Sequence, residues 1–314
     1  MDNEKLGRII TPKFDQLKEC VFDGDEFASH EFPPQTFLME PWLVHPSYNL
    51  IWGARESGKT FLNIALALTV AQGGKMLDWQ AREASKVLYV DGEMNRAEFQ
   101  ERLRIMSGGK SYKNLYVMSA SEMVHCGHRA PSLAEPEWRT AFGKLIADLG
   151  VKMVVWDNIS VLFRGIDINK GADWSEPNEY FIALRSLGIT SIVVHHAGKD
   201  PERGPRGASN LEDAVDMSIS LEKAWSETKE CKFKMEWRKS RNIHSDTVDD
   251  ITIKVADEGA NSHFVYAVGN TETQGDIIAL HLEGKRNHEI VQSLGCDKGH
   301  VSRTIRNYKN SIIT

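Results

Sequence analysis

The sequence predicts an α/β fold. A mostly parallel sheet is flanked by helices, antiparallel strands extend one edge, and a small all-α unit follows. Three observations predict this. Short apolar runs alternate with amphipathic runs through the first two hundred residues, as buried parallel strands and their covering helices do. A glycine-rich turn joins the first clear strand to an apolar helix. After Gly295, and for some twenty residues before it, the pattern is helical only. The expected organisation is an N-terminal arm over 1–34, an α/β core over 35–270 and a helical unit over 275–314.

The elements follow in order. Met1 to Pro34 is mixed and charged, with Phe22, Phe27 and Phe32 loosely spaced, and Pro33-Pro34 closes it like a linker. It reads as a partly ordered arm or as one that packs on a neighbouring subunit. Tyr48 to Trp52 reads as a buried strand ending at Gly53, and Thr60 to Ala71 as an apolar helix stopped by Gly73-Gly74. Val87 to Asp91 is a second strand, Asn95 to Met106 a helix and Leu115 to Met118 a third strand. Pro136 opens a helix whose Trp138, Ala141, Phe142, Leu145, Ile146 and Leu149 share one face, and Gly150 ends it. Met153 to Asp157 is a fourth strand, Pro177 to Leu187 a helix ended by Gly188, and Ile189 to His195 a fifth strand. Ala214 to Leu221, Cys231 to Arg238 and Ile251 to Ala256 lack helices between them and read as antiparallel additions to the edge. Asn270 to Gln274 reads as a linker.

Composition narrows the function. A chain of 314 residues, 41% hydrophobic and 26% charged, has material for one large domain and an appendage. A net charge of -6 excludes a uniformly basic nucleic-acid coat but allows local basic loops. Cys20, Cys126, Cys231 and Cys296 form no CxxC knuckle, which argues against structural zinc and fits a reducing cytoplasm. No apolar run approaches the roughly 20 residues that span a bilayer. The first ten residues lack an apolar signal core, so a cytoplasmic protein without membrane contact is expected.

The chemistry concentrates in Gly53-Ala54-Arg55-Glu56-Ser57-Gly58-Lys59-Thr60, a full GxxxxGK[ST] match between a predicted strand and a predicted helix. Glycines let backbone N–H groups turn toward phosphates, and the helix that follows presents its positive end to the same charge. Lys59 would neutralise the β and γ oxygens, and the Thr60 hydroxyl would ligate Mg²⁺. Asp157, at the carboxyl end of a central strand, is placed to hold the Mg²⁺ shell. In Asp91-Gly92-Glu93, either carboxylate could orient an attacking water, and either could cap a turn. His195-His196 end the fifth strand, where a polar group can sense the γ-phosphate. Lys199, Arg203 and Arg206 lie in a Gly/Pro-rich loop. They could stabilise charge in a neighbour's site, contact a nucleic-acid backbone, or face solvent.

Taken together, GARESGKT, VLYVDGEM, VVWDNISVLF, VVHHAGKD and RGASNLEDAVD, in this order, resemble the RecA-like hexameric helicases of the plasmid RepA type, relatives of the DnaB helicases. The resemblance covers roughly residues 35 to 255. It implies a RecA-like core that binds ATP with Mg²⁺ and forms rings, commonly hexamers, with nucleotide between subunits. It implies Glu93 as catalytic base, His196 as γ-phosphate sensor and Arg206 as the finger that reaches the adjacent subunit. It also implies that single-stranded DNA passes the loops near Phe163 to Trp174 and Gly198 to Ser209, which carry Arg164, Lys170, Lys199 and Arg203. The arm and the C-terminal unit depart from the plain plasmid helicase.

In that unit Asp276 to Glu283, Asn287 to Leu294 and Lys298 to Lys309 read as three helices. Gly295-Cys296-Asp297 is the turn, and Asp297 is placed to cap the third helix. Ile290, Val291, Leu294, Val301 and Ile305 would form its core. Lys298, His300, Ser302, Arg303, Arg306 and Asn307 are left on or near an exposed face. The run resembles bacterial helix-turn-helix domains, which implies duplex DNA as a further partner. The expected function is a ring-forming, DNA-dependent ATPase, a helicase or translocase of a mobile element, of the kind that serves DNA replication. A DNA-bound ATP switch is the alternative. A small-molecule kinase fits poorly, because the basic loop follows the sensor strand rather than forming a lid.

Overall fold

A computed structural model describes residues 17–109, 111–165, 174–198, 205, 208–223, 232–241, 251–257, 262–268, 272–296 and 298–312. Its centre is a nine-stranded sheet. The strands, in chain order, are β1 Thr36–Met39, β2 Leu43–His45, β3 Tyr48–Gly53, β4 Gly74–Met76, β5 Trp79–Ala81, β6 Val87–Asp91, β7 Leu115–Ser119, β8 Met153–Asp157, β9 Thr190–His196, β10 Met217–Lys223, β11 Lys232–Ser240, β12 Ile251–Asp257 and β13 Ser262–Val268. The sheet order is β13-β12-β11-β10-β3-β9-β8-β6-β7, with β1-β2 and β4-β5 as separate two-stranded pairs. Strands β7, β6, β8, β9, β3 and β10 run parallel, and β11, β12 and β13 continue the edge antiparallel. This is the RecA-like α/β architecture: the strand that leads into the phosphate loop sits between β9 and β10, one strand removed from β8.

Period-two alternation decides which side chains meet which helices. Ile51, Val87, Tyr89, Met153, Val155, Ile192 and Val194 face one core with Leu62, Leu66 and Val70 of helix Lys59–Gln72 and Phe99 of helix Arg96–Ser107. Leu50, Trp52, Leu88, Val90, Val154, Trp156 and Val193 face the other. There they meet Phe142 and Ile146 of helix Pro136–Leu149 and Phe181 and Leu184 of helix Ser175–Ser186. Residues buried on both faces explain why these strands read as apolar runs rather than alternating ones. Helix ends follow the expected chemistry. Asn95 caps Arg96–Ser107 by accepting the Ala97 N–H, and Gly150 closes Pro136–Leu149 in the left-handed region at φ 65°.

Several expectations need correction. The strand expected over Ala214 to Leu221 is present as β10, Met217–Lys223, but helix Ala208–Ala214 precedes it and it runs parallel to β3 rather than antiparallel. A seven-residue helix carries too little periodicity to be seen in a Gly/Pro-rich stretch, yet some crossover is what a parallel neighbour requires. Of the expected linker at Asn270 to Gln274, the part from Glu272 onward is already helix Glu272–Leu282. Helix Ser175–Ser186 starts two residues before Pro177, since proline is tolerated in a first turn. Strands β1, β2, β4, β5 and β13 were not expected. The first four are only three or four residues long.

In the arm, described residues 17–34 are exposed, and Phe27 of helix Gly24–Ser29 packs with Phe22, His30 and Phe32 in one aromatic cluster. At the other end, helices Glu272–Leu282, Asn287–Leu294 and Lys298–Ile312 bury Ile277, Ile290, Val301 and Ile305 together, with Val291 and Leu294 partly buried against them. Gly295 turns the chain between the last two at φ 62°, while Asp297, the expected cap, lies outside the described residues. Among the described residues no helix is long and apolar enough to cross a membrane.

Candidate functional site

Parallel register brings the carboxyl ends of the central strands to one edge. Gly53 lies opposite His196, and Asp91 opposite Asp157. The turn from Gly53 to Thr60 fits its glycines tightly. A Cβ at Gly53 would stand 2.2 Å from the Leu221 carbonyl oxygen. Gly58 has φ +85°, and a Cβ there would meet the Phe233 ring at 2.3 Å. Neither position has room for a side chain, and Gly58 also needs a dihedral that L-residues avoid.

Lys59 is 7% exposed. Its Nζ donates to the carbonyl oxygens of Gly53 at 2.9 Å and Ala54 at 2.5 Å. Burial lowers its pKa to about 8, against the opposing pull of Asp157 and Glu93. The Thr60 hydroxyl donates to Asp157 Oδ2 at 3.3 Å, and the Tyr89 hydroxyl donates to the same oxygen at 2.6 Å. Asp157 is buried, which raises its pKa, while the Tyr89 bond acts in the other direction. Hard oxygen donors at Thr60 and Asp157, within reach of a phosphate turn, suit Mg²⁺ that completes its shell with water and substrate phosphates. No cluster of three or more His, Cys, Asp or Glu residues suited to holding a metal occurs among the described residues.

The two carboxylates of Asp91-Gly92-Glu93 separate by environment. Asp91 is 1% exposed; its Oδ1 accepts the N–H of Glu93 at 3.3 Å and of Met94 at 3.1 Å, and Ser119 Oγ donates to Oδ2 at 3.4 Å. It caps the turn. Its burial pushes the carboxyl pKa up to about 6. The Glu93 side chain is 53% exposed and its Oε2 stands 3.6 Å from His196 Nε2. The histidines separate too. His196, on the same sheet face as Ile192 and Val194, points toward Glu93 and Asn158. His195 is buried on the opposite face, beside Ser160 Oγ at 3.3 Å and edge-on to Trp174.

The structure therefore gathers Gly53, Gly58, Lys59, Thr60, Asp157, Glu93 and His196. Ala54 and Ser57 share the turn, Arg55 and Glu56 are exposed, and Glu56 meets Lys223 at 3.4 Å. Arg164 is exposed beyond β8, its Nε donating to the Val161 carbonyl at 3.1 Å. Lys170, Lys199, Arg203 and Arg206 lie outside the described residues, as do the side chains of His300 and Asn307. Lys298, Ser302, Arg303 and Arg306 are exposed on the last helix, with Ser302 Oγ accepting from Asn287 Nδ2 at 3.5 Å. Two site residues escape a motif reading. Tyr89 was legible in principle, standing two residues before Asp91 on the strand face that Asp157 shares. Asn158, 1% exposed behind Asp157, lies inside VVWDNISVLF, but that motif assigned it no role.

No curated protein matches the sequence. Among solved structures, a KaiC-like protein from the hyperthermophilic archaeon Pyrococcus horikoshii OT3 is similar at TM-score 0.49 and 14% identity, over 73% of this chain and 93% of that one. Residues 13–202, more than half of the chain, match the family model described as AAA domain. The chain belongs to the AAA domain family and is a P-loop ATPase of the RecA-like class.

Proposed function

We propose that the protein is a ring-forming, DNA-dependent ATPase of the plasmid RepA type, a helicase or translocase of a mobile element. The observation that carries the hydrolytic part is the meeting of Lys59, Thr60, Asp157, Glu93 and His196 at one sheet edge. Lys59 and the backbone of the phosphate turn bind and orient the triphosphate. Thr60 and Asp157 would hold Mg²⁺, which supplies charge neutralisation at the phosphate oxygens. Glu93 orients a water and takes its proton as the water oxygen attacks the γ-phosphorus and ADP departs. His196, at the end of β9 and beside Glu93, reads the γ-phosphate and passes its loss to the loop beyond.

Arg206 of one protomer completes the site of the next, so hydrolysis depends on assembly. Arg164, Lys170, Lys199 and Arg203 follow a single strand through the ring. Lys298, His300, Ser302, Arg303 and Arg306 contact duplex phosphates and base edges from a helix-turn-helix. The measurement is steady-state ATP hydrolysis with and without single-stranded DNA, on the parent and on Arg206→Ala. Stimulation by DNA is expected in the parent. In Arg206→Ala hydrolysis should fall at least about 10³-fold, the usual contribution of an arginine finger, with nucleotide binding nearly intact. Parental turnover in Arg206→Ala rejects the finger.

The exposed Arg303 and Arg306 beside a shared three-helix core favour a second reading, an ATP switch that assembles on a duplex site. A fork strand-displacement assay separates the two. Tight duplex binding without unwinding supports the switch and rejects the helicase.

A further inference from the structure

We propose that Asn158 is a positioning residue for hydrolysis, holding the Glu93 carboxylate in place through its side-chain amide. The proposal rests on the reading of Glu93 as the base that accepts the water's proton. Asn158 is 1% exposed, directly after Asp157. Its Nδ2 donates to Glu93 Oε2 and lies 3.2 Å from His196 Nε2. Its Oδ1 accepts the Val161 N–H at 3.2 Å. A side-chain amide offers two N–H donors and one acceptor group, and here all are engaged.

The asymmetry between the partners gives Asn158 its role. Glu93 is long, half in solvent and attached to a loop, so little of its own packing fixes its rotamer. Asn158 is short, buried and anchored at its oxygen to the first turn of helix Ile159–Leu162. The buried group therefore orders the exposed one. The contact with His196 ties the same amide to the end of β9. To accept from that amide at Nε2, His196 must be neutral with its proton on Nδ1. If the ring turns, the Asn158 amide is left with one acceptor fewer, and the change reaches Glu93 through one side chain. The same Asn158 caps helix Ile159–Leu162, the start of the segment that leads to Arg164.

A purely structural Asn158 would act as that cap alone, and the test separates the roles. Asn158→Asp retains a capping oxygen, since aspartate caps as well as asparagine, but it has no N–H to give Glu93. Four full-length proteins are compared: parent, Asn158→Asp, Glu93→Gln and the double variant. For each, the affinity for a fluorescent ATP analogue with Mg²⁺, the single-turnover hydrolysis rate and the melting temperature are measured.

The expected result is parental affinity and a hydrolysis rate lowered about 10- to 100-fold in Asn158→Asp, the equivalent of removing one hydrogen bond to a charged group. In the Glu93→Gln background the same substitution should cost nothing further, because a residue that works through Glu93 has nothing left to position. The proposal is overturned if Asn158→Asp hydrolyses at the parental rate, or if it loses the same factor in both backgrounds. Parental hydrolysis in Glu93→Gln overturns the base reading and this proposal together. An inactive Glu93→Gln beside a fully active Asn158→Asp overturns this proposal alone. If Asn158→Asp does not melt cooperatively, Asn158→Ser, which keeps a capping hydroxyl, takes its place in the same comparison.

Discussion

Asp91 and Glu93 stand two residues apart in one turn, and their surroundings assign them different tasks. The buried Asp91 accepts two backbone N–H groups and holds the turn, whereas Glu93 reaches into the site. The sequence left the two as rivals, because burial is a tertiary fact that a run of Asp-Gly-Glu does not disclose. The pKa of Asp91, raised to about 6 by burial, makes its role testable. A carboxyl whose pKa is higher folded than unfolded stabilises the fold below its unfolded value, and that contribution is lost as pH rises through the folded value. Above pH 6 the wild-type protein thus carries a buried charge that an amide would not. Asp91→Asn keeps the acceptor oxygen. It should raise stability by on the order of 2 kcal/mol at pH 8, and the gain should shrink as pH falls from 6 toward 4. Thermal melts across that range check it. A loss of stability at pH 8 would show that ionised Asp91 is needed for the turn. Lys59 tells a parallel story. Its type and place were legible from the motif, but its closure onto the Gly53 and Ala54 carbonyls was not.

Strands and turns were the most legible elements. Val87–Asp91 and Met153–Asp157 stand where the apolar runs ended in acids, because both faces are covered and the acids close the strands at the carboxyl edge of the sheet. The alternation also settles the histidine pair. His196 shares a face with Ile192 and Val194, and His195 turns away beneath Trp174. Elements fixed by long-range pairing were not legible. Strand β10 needs β3 beside it to be recognised as parallel, and β4 and β5 are too short to show a period. The phosphate turn depends on a distant element as well, since Phe233 of β11 packs against Gly58. Gly58→Ala should therefore destabilise the protein by about 1–3 kcal/mol from its left-handed dihedral alone, with the ring contact adding to that, and should abolish nucleotide binding. Adding Phe233→Ala removes the clashing Cγ, Cδ1 and Cε1 atoms but not the dihedral, so the double variant should lose less stability than the two single losses added together. Urea melts of the single and double variants check this. A Gly58→Ala protein as stable as the parent would contradict the packing described.

At the scale of the molecule, a net charge of -6 coexists with exposed basic side chains on the last helix. The phosphate turn sits at the sheet edge, while Lys298, Arg303 and Arg306 are exposed on the last of the C-terminal helices. Their core was largely legible, since Ile290 with Leu294, and Val301 with Ile305, recur at helical spacing. Ile277 was not, because it joins from a third helix. If that face binds duplex DNA, replacing Arg303 and Arg306 together with Ala should weaken binding and lower the salt slope by about 2, one for each phosphate no longer neutralised. Filter binding across salt concentrations would show it, and an unchanged slope removes both residues from the interface. The chemistry at the sheet edge depends on a triphosphate resting in the turn from Gly53 to Thr60. The most direct measurement is a titration of parent and Lys59→Ala with a fluorescent ATP analogue in Mg²⁺. The parent should bind, and the variant should bind at least about tenfold more weakly, the value of one charge-assisted hydrogen bond to phosphate. Equal affinity in the two proteins would contradict the account.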